Sequence, residues 1–463
     1  MGSSVPLRVY GYVPETHPRR VLLCNPPIYD TRFPWVRFQQ PVTLLQLSTL
    51  LKRFGCDVRL LDALHAEPST TLRRRRMRVF TRDDIPLNWW RFGRLPSQLT
   101  AQLIAFKREK WQPDEVYIEG FTTFWWEGVA ETVALIRKQF PHAQVVLFGA
   151  YPTLASDHAA QHSGADILAV GQIGGLAGLP LDRSLSDSPP AFTYLSIGTE
   201  LRAPSDLLEE LRALVTPSRK QERTWQLAFA DHDVARRFPE QFRAVLRACI
   251  DHTCKVSFYA LGNLHPRDLV EDPELASLLW RAGFKQIVFA DDRHLPRTSD
   301  AREALLDDYH HAIEHCVAAG YPERTEALIG SVCLGRSGED PGEVVAFMTK
   351  LAHVAGSLMV VPYQPAPSEC APTLALELQN GKLFPFAYDN GSHFREYQDI
   401  LGLAAVLNSK HRSHTFDFSG DGLISRLARE SLITESWRPP DAAGNAWPVT
   451  SGWFNKEGKW VRS

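Results

Sequence analysis

Long apolar runs are missing from this 463-residue chain. Nothing in it approaches the ~20 consecutive apolar residues that span a bilayer, so no membrane partner is expected. The opening stretch, MGSSVPLRVYGYVPETHPRR, has no apolar signal core ahead of the Arg19-Arg20 pair, which predicts a cytoplasmic protein. Met1-Gly2-Ser3-Ser4 starts like a myristoylation signal, but Pro6 stands where Ser or Thr is needed. An excess of charge is missing too. The 51 Lys and Arg residues against 53 Asp and Glu leave a net −2, which excludes gripping nucleic acid by bulk positive charge.

Cysteine is sparse and scattered, with seven in all and no CxxC. An odd number at irregular spacing suits a reducing compartment and argues against a disulfide framework. Cys249 and Cys254 are separated by four residues with no third cysteine nearby, so a metal or cluster site built from local thiolates is not expected. What is present is a globular composition, 44% apolar and 22% charged. The length suits two or three domains.

The first third alternates between strand and helix patterns. Strands are expected at Arg20–Asn25, Asp57–Asp62, Glu115–Gly120, Gln144–Gly149 and Ile167–Val170. Helices are expected at Val42–Phe54, Gln98–Lys110, Val129–Phe140 and Leu154–His162. The arginine-rich stretch from His65 to about Arg94 has poor periodicity and reads as a loop or helical arm. The alternation predicts a parallel sheet covered on both faces, with ligands beyond the carboxyl ends of its strands. The candidate ligand loops there hold Pro26 and Tyr29, then Asp62, then Thr122, Thr123, Trp125 and Trp126. The next two hold Gly149, Ala150, Tyr151 and Pro152, then Gly171 and Gln172. The two threonines suit a polar ligand edge, the tryptophans a wall for a flat cofactor, and the glycines a close backbone approach. Each also has a plain structural role open to it, as an N-cap, a packed aromatic or a loop glycine.

The order NPP, VRLLDA, GFTT, VVLFGAYPT and ILAVGQ resembles the cobalamin-binding domain of cobalamin-dependent radical S-adenosylmethionine enzymes. The resemblance sets Gly149-Ala150-Tyr151-Pro152-Thr153 and Gly171-Gln172-Ile173-Gly174 against the family's GGxHPT and GEGE segments, with the second glycine, the histidine and both glutamates changed. The DxHxxG signature of methionine-synthase-like domains is absent. The resemblance therefore implies a Rossmann-like cobalamin domain over 1–181 and a base-off cobalamin with no lower histidine from that motif.

A polar, proline-ended linker, Asp182 to Pro190, precedes a second alternation. Six further βα units suggest a three-quarter barrel over 191–380 with its function at the strands' carboxyl ends. Leu227–Asp233, Asp272–Leu275 with Arg281–Ala290, Leu334–Glu339 and Pro362–Pro367 resemble successive segments of the radical S-adenosylmethionine barrel. The family's CxxxCxxC loop is missing. Tyr194 to Leu211 runs from strand into helix with no cysteine, so no [4Fe–4S] cluster and no radical chemistry of the usual kind is expected. Binding of S-adenosylmethionine is left open.

Asp231, His232, Asp291 and Asp292 are candidates for orienting or deprotonating a small-molecule acceptor in a polar methyl transfer. No metal site is assigned. Asp233, His265, His294, Cys333 and Arg336 lie at the same strand ends. Two other classes stay open: an accessory subunit partnering a genuine radical S-adenosylmethionine enzyme or carrying cobalamin, and an enzyme using a metal at the Asp/His strand ends. Residues 381–463 read as a helical and irregular extension holding Trp437, Trp447, Trp453 and Trp460.

Overall fold

A computed structural model describes residues 6–31, 41–65, 74–82, 85–176, 178–185, 192–196, 203–215, 225–229, 233–251, 256–290, 298–323, 327–336, 339–370, 375–380, 400, 407–408, 452–454 and 460–462. The chain forms two compact α/β units, one of residues 1–190 with 365–383, the other of 191–364 with 384–463.

The first unit is built on β1 (Leu7–Tyr10), β2 (Arg20–Asn25), β3 (Ile28–Asp30), β4 (Asp57–Asp62), β5 (Arg74–Arg82), β6 (Ile85–Phe92), β7 (Glu115–Glu119), β8 (Gln144–Phe148) and β9 (Ile167–Val170). Six of these make one parallel sheet in the order β1-β9-β8-β7-β2-β4. Alternate residues serve opposite faces. Leu22, Cys24, Val116, Ile118, Val145, Leu147 and Leu168 pack on α2 (Pro96–Arg108) and α3 (Trp126–Gln139) through Leu99, Leu103, Val129, Val133 and Ile136. Val21, Leu23, Tyr117, Val146, Phe148 and Ala169 pack on α1 (Val42–Arg53) through Leu44, Leu47 and Leu51. A sheet covered on both sides explains why its strands read as continuous apolar runs.

Without β1, the strand order is second, first, third, fourth, fifth. The chain reverses direction between β2 and β7, which places the ligand crevice of such sheets beyond their carboxyl ends.

The arginine-rich excursion is not a loop or a helical arm. β5 and β6 form an antiparallel ribbon that continues into β3 in the order β3-β6-β5. Cross-strand pairing of Arg74 to Arg82 with Ile85 to Phe92 overrides the weak periodicity, because cations stacked on Trp89 and Trp90 supply contacts that a hydrophobicity pattern does not score. The N-terminal strand β1 was likewise not expected; it joins the sheet edge beside β9. The loop expected after β8 is helical from its second residue. α4 (Ala150–Leu154) and α5 (Ser156–His162) replace one short helix, broken at Ala155.

The second unit is a six-stranded parallel sheet in chain order: β10 (Phe192–Leu195), β11 (Trp225–Phe229), β12 (Val256–Leu264), β13 (Phe284–Phe289), β14 (Leu328–Leu334) and β15 (Ser357–Pro362). The principal helices on this sheet are α6 (Pro204–Val215), α8 (Pro239–Asp251), α10 (Pro273–Ala282), α11 (Ser299–Ala319) and α12 (Pro341–Val354). Two short helices, α7 (Val234–Arg237) and α9 (Pro266–Glu271), complete the series. One face of the sheet, including Leu227, Phe258, Ala260, Ile287 and Val332, packs on helix residues such as Leu211, Phe242, Leu279 and Leu351. A two-stranded antiparallel pair, β16 (Gly452–Phe454) and β17 (Trp460–Arg462), lies near the C-terminus. Of the helical and irregular extension expected over 381–463, only residues 400, 407–408, 452–454 and 460–462 are described, and Trp437 and Trp447 lie outside them. Among the described residues no helix is long and apolar enough to cross a membrane.

Candidate functional site

Directly beyond β2 and β7 the crevice is filled by the chain's own side chains. Ile28, Leu64, Phe92, Phe124 and Trp125 form a small apolar cluster. Polar bonds fix its perimeter. The Trp125 indole donates to Asp30 Oδ2 at 2.9 Å, and Asn380 Nδ2 donates to Asp30 Oδ1 at 3.0 Å. Trp126 donates its indole N–H to Glu377 Oε2 at 3.2 Å. Arg78 spans Glu127 at 3.0 Å and Glu377 at 3.2 Å, and Trp89 donates to Glu127 at 2.7 Å. Burial raises the Glu127 carboxyl, and the bonds from Trp89 and the charge of Arg78 offset part of that rise. Residues 375–380 thus return to the first unit and tie α3, β3 and the ribbon together.

Tyr29 sits in the same frame. Its phenol donates to Glu131 Oε2 at 2.6 Å, and the Arg91 guanidinium grips both oxygens of Glu131 at 2.7 Å. Burial first, then the bond to Glu131, raises the Tyr29 phenol far above its ordinary value. Asp62 accepts from Asn25 Nδ2 at 2.7 Å and from the Leu64 N–H at 2.9 Å. Pro26 is buried. A side chain at Gly128 of α3 would lie 1.8 Å from the carbonyl oxygen of Pro27. So Pro26, Tyr29, Asp62, Trp125 and Trp126 are brought together, but as a hydrogen-bonded wall.

An open rim remains beyond β7, β8, β9 and β1. Phe121 is 47% exposed and Leu154 54%. Tyr10, the last residue of β1, and Val13 just beyond it are also exposed. Thr122 is half-buried, Thr123 buried, and Gln172 exposed. Gly149 adopts φ +102°, and a Cβ there would stand 2.7 Å from the Gly120 carbonyl oxygen. Gly171 adopts φ +92° with nothing within 4 Å of the direction a side chain would take. Thr153 joins the two: its hydroxyl donates to the Gly149 carbonyl at 2.7 Å and accepts from the Gly171 N–H at 2.9 Å. Phe121 and Thr153 lie in loops expected to face a ligand, whereas Leu154 was expected to open a helix; its only signal was a place six residues past the end of β8.

Tyr151 and Pro152 are buried beneath this rim. The Tyr151 hydroxyl pairs with His158 Nδ1 at 2.9 Å. Burial first, then the neighbouring His162, pulls the His158 imidazole down to about 4, so it is neutral at physiological pH. Its ring stands 5.0 Å from that of Trp126 and 4.2 Å from that of His162.

In the second unit, Asp231, His232, Asp291, Asp292 and His294 lie outside the described residues. His265 is an N-cap: its Nδ1 accepts from the Arg267 N–H at 3.2 Å, while its own backbone N–H donates to Asp268 at 2.7 Å. Arg336 lies over the Tyr363 ring at 5.7 Å. The sheet face turned away from the helix-packed core carries a polar row that sequence reasoning did not single out. Tyr194, Ala228, Tyr259 and Gln286 are successive cross-strand partners on β10 to β13. Ser331 and Cys333 occupy the corresponding face of β14, both buried. Burial pushes the Tyr194 phenol up to about 12. The available signal was single polar residues, Tyr194, Tyr259 and Gln286, in strands that otherwise read as largely apolar.

Among the described residues no group of three or more His, Cys, Asp and Glu is placed to hold a metal ion. The six described cysteines are buried free thiols, and Cys254 lies outside them. No family model, curated protein or solved structure matches this chain.

Proposed function

We propose that the chain binds cobalamin on the first unit and uses it, without an iron–sulfur cluster, in methyl transfer to a small-molecule acceptor in a biosynthetic pathway. On this reading the first unit is a Rossmann-like cobalamin domain and the second a partial TIM-like barrel.

One observation carries it: the open rim where Thr153 bridges Gly149 and Gly171 between the exposed Phe121 and Leu154. A corrin has broad apolar faces and a fringe of amides. Exposed Phe121 and Leu154 suit the faces, and the Thr122 hydroxyl and Gln172 amide suit the fringe. The unshielded backbone at Gly171 admits close approach. The described residues of this rim fit the group in that sense. His158 is already paired with Tyr151, which supports a base-off cofactor with no protein imidazole beneath it. The wall of Trp125, Trp126 and Tyr29 would border the ligand rather than lie under it.

Bound cobalamin would supply a cobalt centre able to carry a methyl group. The chain's own part is to hold the ring, exclude water with the packed wall, and orient the acceptor. Asp231, His232, Asp291 and Asp292 are the proposed acceptor-orienting and proton-accepting groups.

The test is a spectral titration of the full chain with hydroxocobalamin and methylcobalamin. Saturable binding with base-off absorbance is expected, lost in Gly171→Leu and retained in His158→Gln. No saturable binding, or binding indifferent to Gly171→Leu, would reject the site. The second reading, an accessory subunit for a genuine radical enzyme, draws on β10 and α6: from Leu195 to Pro204 no cysteine intervenes. Turnover only with a cysteine-motif partner would favour it.

A further inference from the structure

The arginine-rich ribbon is not used by the proposed cofactor site. β5 reads RRRMRVFTR, five arginines and no carboxylate in nine residues. It is the outer strand of its sheet, paired only with β6 among the described residues. Such an edge turns alternate backbone N–H and C=O groups outward, ready to pair with another chain. The side chains from Arg74 to Val79 are exposed. Arg78 is committed to Glu127 and Glu377, and Arg74 stacks on Trp90 at 4.9 Å. Arg75 and Arg76 form no ion pair among the described residues. Between the arginines lie two exposed apolar side chains, Met77 at 44% and Val79 at 52%. The platform is rigid from behind, because Trp89 and Arg91 of β6 are bonded to Glu127 and Glu131 of α3.

We infer that β5 is a docking edge for an extended acidic segment of another protein, added as a fourth strand with carboxylates on both of its faces, one reaching Arg75 and the next Arg76, which project to opposite faces of the sheet. Backbone pairing along an open edge gives affinity in this mode, and side chains at alternate positions give specificity. Charge selects the occupant. A second copy would set one row of arginines against another, and like charges directly opposite are destabilising. A single-stranded nucleic acid would want exposed aromatic platforms beside the cations. Here the exposed apolar groups are Met77 and Val79, while Trp89 is fully buried and Trp90 is half-buried and already covered by the Arg74 guanidinium.

The experiment uses the full chain and a fluorescein-labelled Glu-Val peptide built of Glu-Glu-Val repeats, which presents carboxylates on both faces of a strand. Three controls accompany it: the same peptide N-methylated at every second amide, its Lys-for-Glu version, and a labelled oligothymidylate. Saturable binding of the Glu-Val peptide is expected, about tenfold weaker with Arg75→Glu and Arg76→Glu combined, as fits the loss of two charge partners at ~0.7 kcal/mol each. The N-methylated and Lys peptides should bind at least tenfold more weakly. Backbone amides within Arg74–Arg82 should gain hydrogen-exchange protection when the Glu-Val peptide is added. Equal binding of the N-methylated peptide, tighter binding of oligothymidylate, no saturable binding, or self-association abolished by the two substitutions would each overturn the inference. Both altered side chains are exposed, so the variant fold is checked simply by unchanged protection of the β2 and β7 amides.

Discussion

Replacing Glu131 by alanine should release the β5–β6 ribbon from α3. In the native chain Glu131 accepts from both arms of the Arg91 guanidinium at 2.7 Å and from the Tyr29 phenol at 2.6 Å. The Arg91 side chain is only 3% exposed, so the substitution leaves a cation in a dry setting without its partner. Breaking a buried pair from one side costs ~3–5 kcal/mol. At ~1.4 kcal/mol per factor of ten, the ribbon should open roughly two to three and a half orders of magnitude more often. Native-state hydrogen exchange on the amides of Ile85–Phe92 reads this directly. Glu131→Gln keeps one acceptor oxygen and should lose about half as much, since charge-assisted bonds are roughly twice as strong as neutral ones. Adding Arg91→Met to Glu131→Ala should recover most of the loss, because the unpaired charge goes with the arginine. Protection in Glu131→Ala within ~1 kcal/mol of the native chain, or a double variant no better than the single one, would refute the reasoning.

Three further outcomes are expected. Gly171→Ala should cost only ~1 kcal/mol in thermal stability, for backbone strain at φ +92° with open space around it, whereas Gly149→Ala should cost more, because its Cβ meets the Gly120 carbonyl at 2.7 Å. His158 gives a pH signature. Its unfolded imidazole takes a proton near 6.5 while the folded one waits until about 4, so stability falls as pH drops through that window and is level on either side; His158→Gln should flatten the slope of melting temperature against pH. Glu377→Ala removes the acceptor of both Trp126 and Arg78 and should expose residues 375–380 to limited proteolysis, while unchanged cleavage kinetics would contradict their role as a tie.

The parallel sheets were legible because their strands are buried on both faces or in long apolar rows, and composition alone reports that. β2, β4, β7, β8 and β9 begin and end within a residue of the expected places. The ribbon was illegible because its contacts are cation–π stacks and ion pairs to α3, none of which leaves a period in hydropathy. The loop residues split for a similar reason. Gly149 and Gly171 could be picked from sequence, since a left-handed backbone beside a strand end favours glycine. That Trp125 and Trp126 are held by Asp30 and Glu377 depends on partners 95 and 251 residues away, and no local pattern reports a bond over that separation. The return of residues 375–380 to the first unit was hidden in the same way.

The proposed function requires a corrin, and no iron–sulfur cluster, on this polypeptide. Anaerobic purification with cobalamin supplied, followed by a visible spectrum and iron and sulfide assays on the same sample, tests it most directly. The account predicts a base-off corrin spectrum near one equivalent per chain with iron at background. Stoichiometric iron and sulfide, or a colourless protein that takes up no corrin, would contradict it.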